Sequence, residues 1–364
     1  MKRNAKFSFL VHPLNLESMS FILGGKASLL KFFGEYNAKK FIKYLPSYKY
    51  VRLLDVASVN CDKVDGLIVI CPLLPEHFVT LNHSIVVNKI LHCVKIAERF
   101  GASIVGLGGF TSIFTNQGLD IIGKVKPAVT TGNSLTASMV IEGICKAIEV
   151  LKKNSSKLHM SIIGATGDIG SICSRVFKKK VQKLTLIARD ERRLSSFAEL
   201  LERDGGATVE SSVIFDEKAY SSDVILAATS ATSSLLDYKK IRPGAIVCDV
   251  SIPPNISREA IKMRNDILVF EGGYVSIPYY NEIKEEKFLR HFKHKSIYGC
   301  LAETIVLALE SKFENFSIGR GQITMDKILA INQMAKKHGY NLSPFFCGER
   351  EYTNEDFVRI GSLA

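Results

Sequence analysis

Leu158-His159-Met160-Ser161-Ile162-Ile163-Gly164-Ala165-Thr166-Gly167-Asp168-Ile169-Gly170-Ser171 is the stretch on which the fold turns. Residues 158–163 form an apolar run of strand length, the glycines follow at G-x-x-G-x-x-G spacing, and residues 169–180 have a helical pattern. Glycines there permit a tight turn and let the backbone approach a pyrophosphate at the helix N-terminus. The glycine spacing alone is weak, and a turn that binds nothing is the bland alternative. A second strand over 183–188 and a second helix over 190–203 supply the context that favours a dinucleotide.

Outward from this motif, residues 223–228, 245–250 and 266–270 continue the alternation, which predicts a Rossmann-type, doubly wound parallel sheet. Before it, residues 7–11, 50–56, 66–70 and 102–107 read as strands, and residues 79–100 as one helix ending at Gly101. Another helix runs to about residue 152, with Asn133 or Ser134 as its N-cap. After residue 280 the strand signal stops. Residues 296–309 and 324–338 look helical, and a polar loop over 313–322 separates them. The expected fold class is α/β. It has an N-terminal α/β substrate domain over 1–152, an NADPH-binding Rossmann domain over 153–285, and a C-terminal helical segment over 286–364.

At the end of the second strand, where an acidic residue would hold the ribose hydroxyls of NAD, stands Arg189, followed by Arg192 and Arg193. A cation there suits the 2′-phosphate of NADP, while the adjacent Asp190 leaves some NAD use open. Arg192 and Arg193 read equally well as a solvated helix face. The expected cofactor is therefore NADPH. Its expected ligands are Gly164, Ala165, Thr166, Gly167, Asp168, Ile169, Gly170, Arg189, Arg192 and, beyond the strand at 223–228, Thr229.

The 364 residues carry 48 Lys+Arg against 36 Asp+Glu, a net charge of +12, with 46% hydrophobic and 23% charged residues. That composition excludes a disordered chain and suits two or three domains. The charge calls for nucleic acid, an anionic membrane surface, an acidic protein or a phosphorylated ligand as partner. Eight cysteines without a C-x-x-C pair argue against a zinc ribbon and for reduced thiols in the cytoplasm. The first apolar run is cut by His12-Pro13 with no cleavage signal after it, and no long uncharged run follows. The expectation is neither a signal peptide nor a transmembrane segment.

No G-x-S-x-G, H-E-x-x-H or P-loop occurs. A nicotinamide transfers hydride to a carbonyl, an alcohol or an activated acyl group, and an activated acyl group needs a nucleophile to hold it. Cys300, in Tyr298-Gly299-Cys300-Leu301-Ala302-Glu303-Thr304, lies near the start of a helix, where a thiol pKa is lowered. On spacing alone, a cysteine in an apolar helix is more often a core residue. Cys145 and Cys173 fit the core reading better. His12 follows the first strand, where a proton donor is well placed, and a structural histidine is its alternative. His83 and His92 have no i, i+4 partner, so no metal site is expected.

Five segments occur in order: Gly106-Leu107-Gly108-Gly109-Phe110-Thr111-Ser112-Ile113, Thr130-Thr131-Gly132-Asn133-Ser134, the Gly164–Gly170 turn, Cys300 with Ala302-Glu303, and Asn315-Phe316-Ser317 with Gly319-Arg320 and Gln322-Ile323-Thr324. Together they resemble the fatty-aldehyde-generating long-chain acyl-[acyl-carrier-protein] reductases of cyanobacterial type, over almost the whole chain. The resemblance implies an oxidoreductase of lipid metabolism in which NADPH reduces long-chain acyl-carrier-protein thioester, or acyl-CoA, to free fatty aldehyde. In this reading Cys300 is the acylated nucleophile of a thioester intermediate. His12 donates protons to the leaving groups, and Ser112 with the Gly108–Ser112 amides, or Gln322, forms the oxyanion site. The partners implied are acidic acyl carrier protein and an aldehyde-consuming oxygenase. Nucleic acid is not among them, and the basic surface also suits peripheral membrane contact. Two rival readings stand. One is a glutamyl-tRNA-reductase/shikimate-dehydrogenase-like NADP oxidoreductase, which would need its cysteine among Cys61 and Cys71 if it followed the former; the other is a non-catalytic NADPH-binding sensor.

Overall fold

A computed structural model describes residues 5–23, 34–229, 236–251, 254–255, 263–283, 285, 288, 290–292 and 294–363. The chain builds two parallel-type sheets in succession. The first contains β1 (Ala5–Val11), β2 (Tyr48–Ala57), β3 (Lys63–Ile70), β4 (Ile104–Leu107) and β5 (Ala128–Thr130), in the order β2-β3-β1-β4-β5. β1 runs parallel to β3 and β4, and β4 to β5, while β2 is an antiparallel edge with two register shifts. Helices α1 (Leu16–Ile22), α2 (Gly34–Ile42), α3 (Pro75–Thr80) and α4 (His83–Phe100) intervene. The single helix expected over 79–100 is two, because Asn82 accepts the Ser84 N–H and starts α4 afresh. Val86, Ile90, Val94 and Ala97 form the buried stripe of α4, which ends at Gly101 with φ +86°.

After the short α5 (Phe110–Ile113), α6 (Asn133–Val150) joins the two halves. Leu135 and Met139 lie in the first core, whereas Val140, Ile144, Ala147 and Ile148 lie in the second. Its cap is left-handed Gly132, φ +73°, with no side-chain cap; Asn133, expected as the cap, is the first helical residue.

The second sheet contains β6 (His159–Ile163), β7 (Lys183–Ile187), β8 (Thr208–Ser212), β9 (Val224–Ala227), β10 (Ile246–Asp249) and β11 (Leu268–Glu271). All its pairings are parallel, in the order β11-β10-β9-β6-β7-β8. That is the doubly wound order, and its crevice lies between the carboxyl ends of β6 and β9. α7 (Asp168–Phe177) and α8 (Glu191–Arg203) cross between strands, and α9 (Glu217–Tyr220) is a single turn. The fold is α/β, as expected from the alternation.

The segment beyond residue 280 is not purely helical. β13 (Ser296–Tyr298) and β14 (Asn341–Leu342) flank β12 (Tyr274–Ser276) in an antiparallel sheet, and β15 (Phe346–Cys347) pairs with β16 (Arg350–Glu351). These strands are too short for a period-2 pattern to register. α10 (Gly299–Leu309) packs Leu301, Ile305 and Val306 into the core formed by Phe7, Phe9 and Ile104 of the first sheet. Each such buried side chain contributes about 1.5–3 kcal/mol. A Cβ at Gly106 would stand 2.1 Å from Thr304 Oγ1, so glycine in β4 lets α10 approach. α11 (Met325–Lys337) lies on α6, and α12 (Asn354–Gly361) seals the second core with Ile360.

Candidate active site

The turn after β6 is built by internal bonds that glycine permits. Gly164 and Ala165 N–H both donate to Ile187 O, at 2.8 and 3.1 Å. Gly164 has φ +80°, and a Cβ there would lie 2.2 Å from Ala228 O; one at Gly170 would lie 2.2 Å from Gly164 O. Gly167 is under much less pressure, with its nearest contact at 3.2 Å. Glycine at 167 keeps the approach to the first turn of α7 open. No side chain caps that turn, so its N–H groups and the positive end of the helix remain available to a phosphate. Thr229, at the end of β9, lies against Gly164 across the switch point. Arg189 and Arg192 are exposed at the end of β7. Asp190 Oδ1 accepts the Arg193 N–H at 3.0 Å, so its carboxylate caps α8. The residues present therefore fit a dinucleotide with an added phosphate.

Cys300 is the second residue of α10, half-buried against the start of α6. A Cβ at Gly132 would sit 2.1 Å from Cys300 Cα. Burial pushes its thiol up to about 12, and the nearby Glu303 adds to this, while the Leu301 and Cys300 N–H groups act in the opposite sense. The lowered pKa expected from the helix start is thus overturned, because desolvation outweighs the N-terminal field. Glu303 is fully buried. Thr130 Oγ1–H and Ser317 Oγ–H donate to its Oε1 at 2.5 and 2.8 Å, and Leu135 N–H donates to its Oε2 at 2.8 Å. Burial raises its pKa, and these donors oppose the rise. One carboxylate thus ties together the Thr130–Asn133 segment, the Asn315–Ser317 loop and the helix of Cys300.

Cys300 opens on a cavity of about 200 Å³ whose walls are mostly apolar, with Phe9, Ile68, Phe288 and Phe292 among them. His12, Gly108 and Gly109 line the same cavity. His12 Nδ1–H donates to Pro13 O at 3.1 Å, and Nε2 accepts the Phe110 N–H at 3.2 Å. Burial lowers its pKa to about 4. The ring is therefore neutral at neutral pH with both nitrogens engaged inside the protein, and in this structure it is not turned towards a leaving group as expected. His12 instead anchors the Gly108–Phe110 turn. Gly108 N–H is taken by Leu10 O, Thr111 N–H by Gly108 O and Ser112 N–H by Gly109 O. Of the turn's amides, Gly109 N–H has no partner among the described residues.

Ser112 and Gln322 do not line this cavity. Ser112 Oγ–H donates to Gln117 Oε1 at 2.5 Å, and Gln322 is exposed with its side chain against Gly319. Both lie on a polar seam between the halves. Asn133 Nδ2 donates to Gln117 Oε1 at 3.4 Å and to Asp168 Oδ2 at 3.1 Å, and Gly321 N–H donates to Asp168 Oδ1 at 2.7 Å. The start of α6 therefore packs against the Cys300 backbone through Gly132 and reaches the glycine turn through Asn133. Sequence reasoning missed Glu303, Asn133 and Gln117 as organisers. The signal for Glu303 was a carboxylate within the apolar run 300–309. Among the described residues, no cluster of three His, Cys, Asp or Glu is placed to hold a metal. No described helix is long and apolar enough to cross a membrane.

Residues 146–271 match the Shikimate / quinate 5-dehydrogenase family. The chain is 30% identical to Aminotransferase PigE of a Serratia species over 311 residues, covering 84% of this chain and 35% of that protein. It is 27% identical to the long-chain acyl-[acyl-carrier-protein] reductase of Synechococcus elongatus over 299 residues, covering 79% of this chain and 85% of that one. It is 23% identical to glutamyl-tRNA reductase of Thermoplasma volcanium over 203 residues, covering 55% and 45%. The chain spans about a third of the Serratia protein and under half of the Thermoplasma one. The dehydrogenase family match falls on the second sheet and its glycine turn, and this domain binds NADP(H).

Proposed function

We propose that this chain reduces a long-chain acyl thioester to a free aldehyde with NADPH, through an acyl group held on Cys300. The observation that carries this reading is the placement of the thiol. Cys300 faces an apolar cavity on one side, and on the other abuts a segment whose next residue holds Asp168 at the glycine turn. In acyl transfer, Cys300 Sγ bonds to the acyl carbon, the bond to the donor sulfur breaks, and the Cys300 proton ends on the departing thiol. The attacking species is the thiolate, so the Cys300 proton must leave the sulfur as the donor thioester approaches, and the exchange as a whole neither gains nor loses a proton. When bound, NADPH supplies a hydride. With the acyl carbon so reduced, the Cys300 C–S bond would break as the oxygen re-forms the carbonyl, the aldehyde would depart, and Cys300 Sγ would take one proton from water, restoring the thiol. Gly109 N–H is the donor we assign to the carbonyl oxygen. The apolar wall excludes water, which would otherwise hydrolyse the enzyme thioester.

The donor that suits the charge of +12 is acyl carrier protein, which is small and acidic. Activity with acyl carrier protein should fall with added salt more steeply than activity with acyl-CoA; equal sensitivity refutes the docking role. The glutamyl-tRNA-reductase reading is less favoured, because Cys61 is exposed between β2 and β3, Cys71 is fully buried, and neither lines the cavity. The test is incubation with palmitoyl- or stearoyl-acyl carrier protein and NADPH, with gas chromatography for aldehyde. Without NADPH, a labelled acyl group should be trapped on Cys300. No aldehyde and no trapped acyl group would overturn the reading.

A further inference from the structure

The loop between α10 and α11 holds one arginine between two anchored glycines. Gly319 N–H donates to Gln117 O at 3.0 Å, on the first half of the molecule, and Gly321 N–H donates to Asp168 Oδ1 at 2.7 Å, on the first residue of α7. Both glycines are left-handed, φ +84° and +73°, so the chain reverses sharply on each side of Arg320. Arg320 is thereby held at the mouth of the uncapped glycine turn, with its side chain exposed.

Arg193, in the first turn of α8, lies near enough that each guanidinium acts on the same Asp168 and on the other. Asp168 does not form a close pair with either. Its oxygens accept from Asn133 and Gly321, and among the described residues neither arginine makes an ion pair. Two cations and a helix N-terminus thus converge where the neighbouring carboxylate is already committed. Like charges gathered in this way are unfavourable until an anion joins them.

We propose that Arg320 is a ligand for the pyrophosphate of the dinucleotide, delivered to the Rossmann domain by the C-terminal segment. This rests on the reading that the dinucleotide occupies the Gly164–Gly170 turn. A planar guanidinium pairs with phosphate oxygens through two donors, which an ammonium does not reproduce. The same loop carries Ser317, which donates to Glu303 beside Cys300. Holding the pyrophosphate therefore also steadies the loop against the helix of the nucleophile.

The experiment is fluorescence titration of NADPH and NADH, with inorganic pyrophosphate as competitor, on the full chain and on Arg320→Ala and Arg320→Lys. Arg320→Ala should weaken both nucleotides alike, by about tenfold or more, and weaken competition by pyrophosphate, with Arg320→Lys in between. Hydrogen exchange should show residues 313–322 protected by NADPH in the parent chain and less so in Arg320→Ala. Unchanged affinities for both nucleotides would overturn the inference and leave the proposed function standing. Loss for NADPH with NADH unchanged would also overturn it, by assigning Arg320 to the 2′-phosphate. A parent chain that binds neither nucleotide would refute the cofactor reading itself.

Discussion

The turn after β4 and the turn after β6 each carry a parallel strand through glycines into a helix. In the first, His12 takes the Phe110 N–H, and Leu10, Gly108 and Gly109 carbonyls take three other amides, so among the described residues only the N–H of Gly109, which lines the apolar cavity, is left without a partner. In the second, the internal bonds stop at Gly167, and the first turn of α7 has no side-chain cap. The same local pattern thus yields a nearly closed turn beside the thiol and an open one suited to phosphate. What distinguishes them is which neighbours consume the amides, and those neighbours come from other strands and loops.

The sharpest separation of the two turns removes the thiol. Cys300→Ala should lower aldehyde formation at least about 10³-fold, measured by gas chromatography, while NADPH affinity by fluorescence stays at the parent value. Wild-type turnover in this variant would refute the acyl-Cys300 scheme. Within the open turn, Gly164→Ala places a Cβ 2.2 Å from Ala228 O at φ +80°. It should cost about 2–4 kcal/mol in thermal or urea melts. Gly167→Ala should melt near the parent yet bind NADPH more weakly; equal melting losses would break the distinction drawn between these glycines.

On the thiol side, Glu303→Gln keeps the shape but forces an NH₂ towards donors that a carboxylate accepts. A loss of about 2 kcal/mol in stability is expected, with reduced turnover; an unchanged melt would show the carboxylate to be dispensable. His12 tests the closed turn by pH. Its folded pKa is lowered from 6.5 to about 4, so the unfolded chain binds more protons between those values. Stability contributed by neutral His12 is complete above pH 6.5 and falls as the pH drops towards 4, by at most about 3 kcal/mol. His12→Gln should therefore narrow the gap between melting temperatures at pH 7 and pH 5. The smallest effect is at Arg189, which is exposed. Arg189→Asp should weaken NADPH by about tenfold and NADH less, and equal loss would refute a 2′-phosphate role.

Five of the six strands of the second sheet were legible, because apolar period and glycine spacing act within a few positions along the chain. β8 was missed, since only Val209 of its five residues is buried. The break at Asn82 was missed because apolar spacing ran on through it. Within the candidate site, Cys300 and His12 were picked out by position, which carries no information about how deeply each is buried. Helix position alone favoured a thiolate, and a strand end alone favoured a proton donor; burial acts against both. Ser112 and Gln322 were chosen as polar groups near motif residues, and their bonds turned out to run along the seam rather than into the cavity.

By itself the sequence determined the α/β class, the doubly wound second sheet and the glycine turn suited to a dinucleotide. These follow from short-range sterics and periodicity, which neighbouring residues carry in full. Only the tertiary structure decided that α10 returns to the first sheet, that Glu303 binds three segments together, and that Asn133 and Gly132 connect the glycine turn to Cys300. It also decided which amides stay free and which ionisable groups are desolvated. Those properties depend on contacts between segments far apart in the chain and on exclusion of water, and neither has a signature in local spacing.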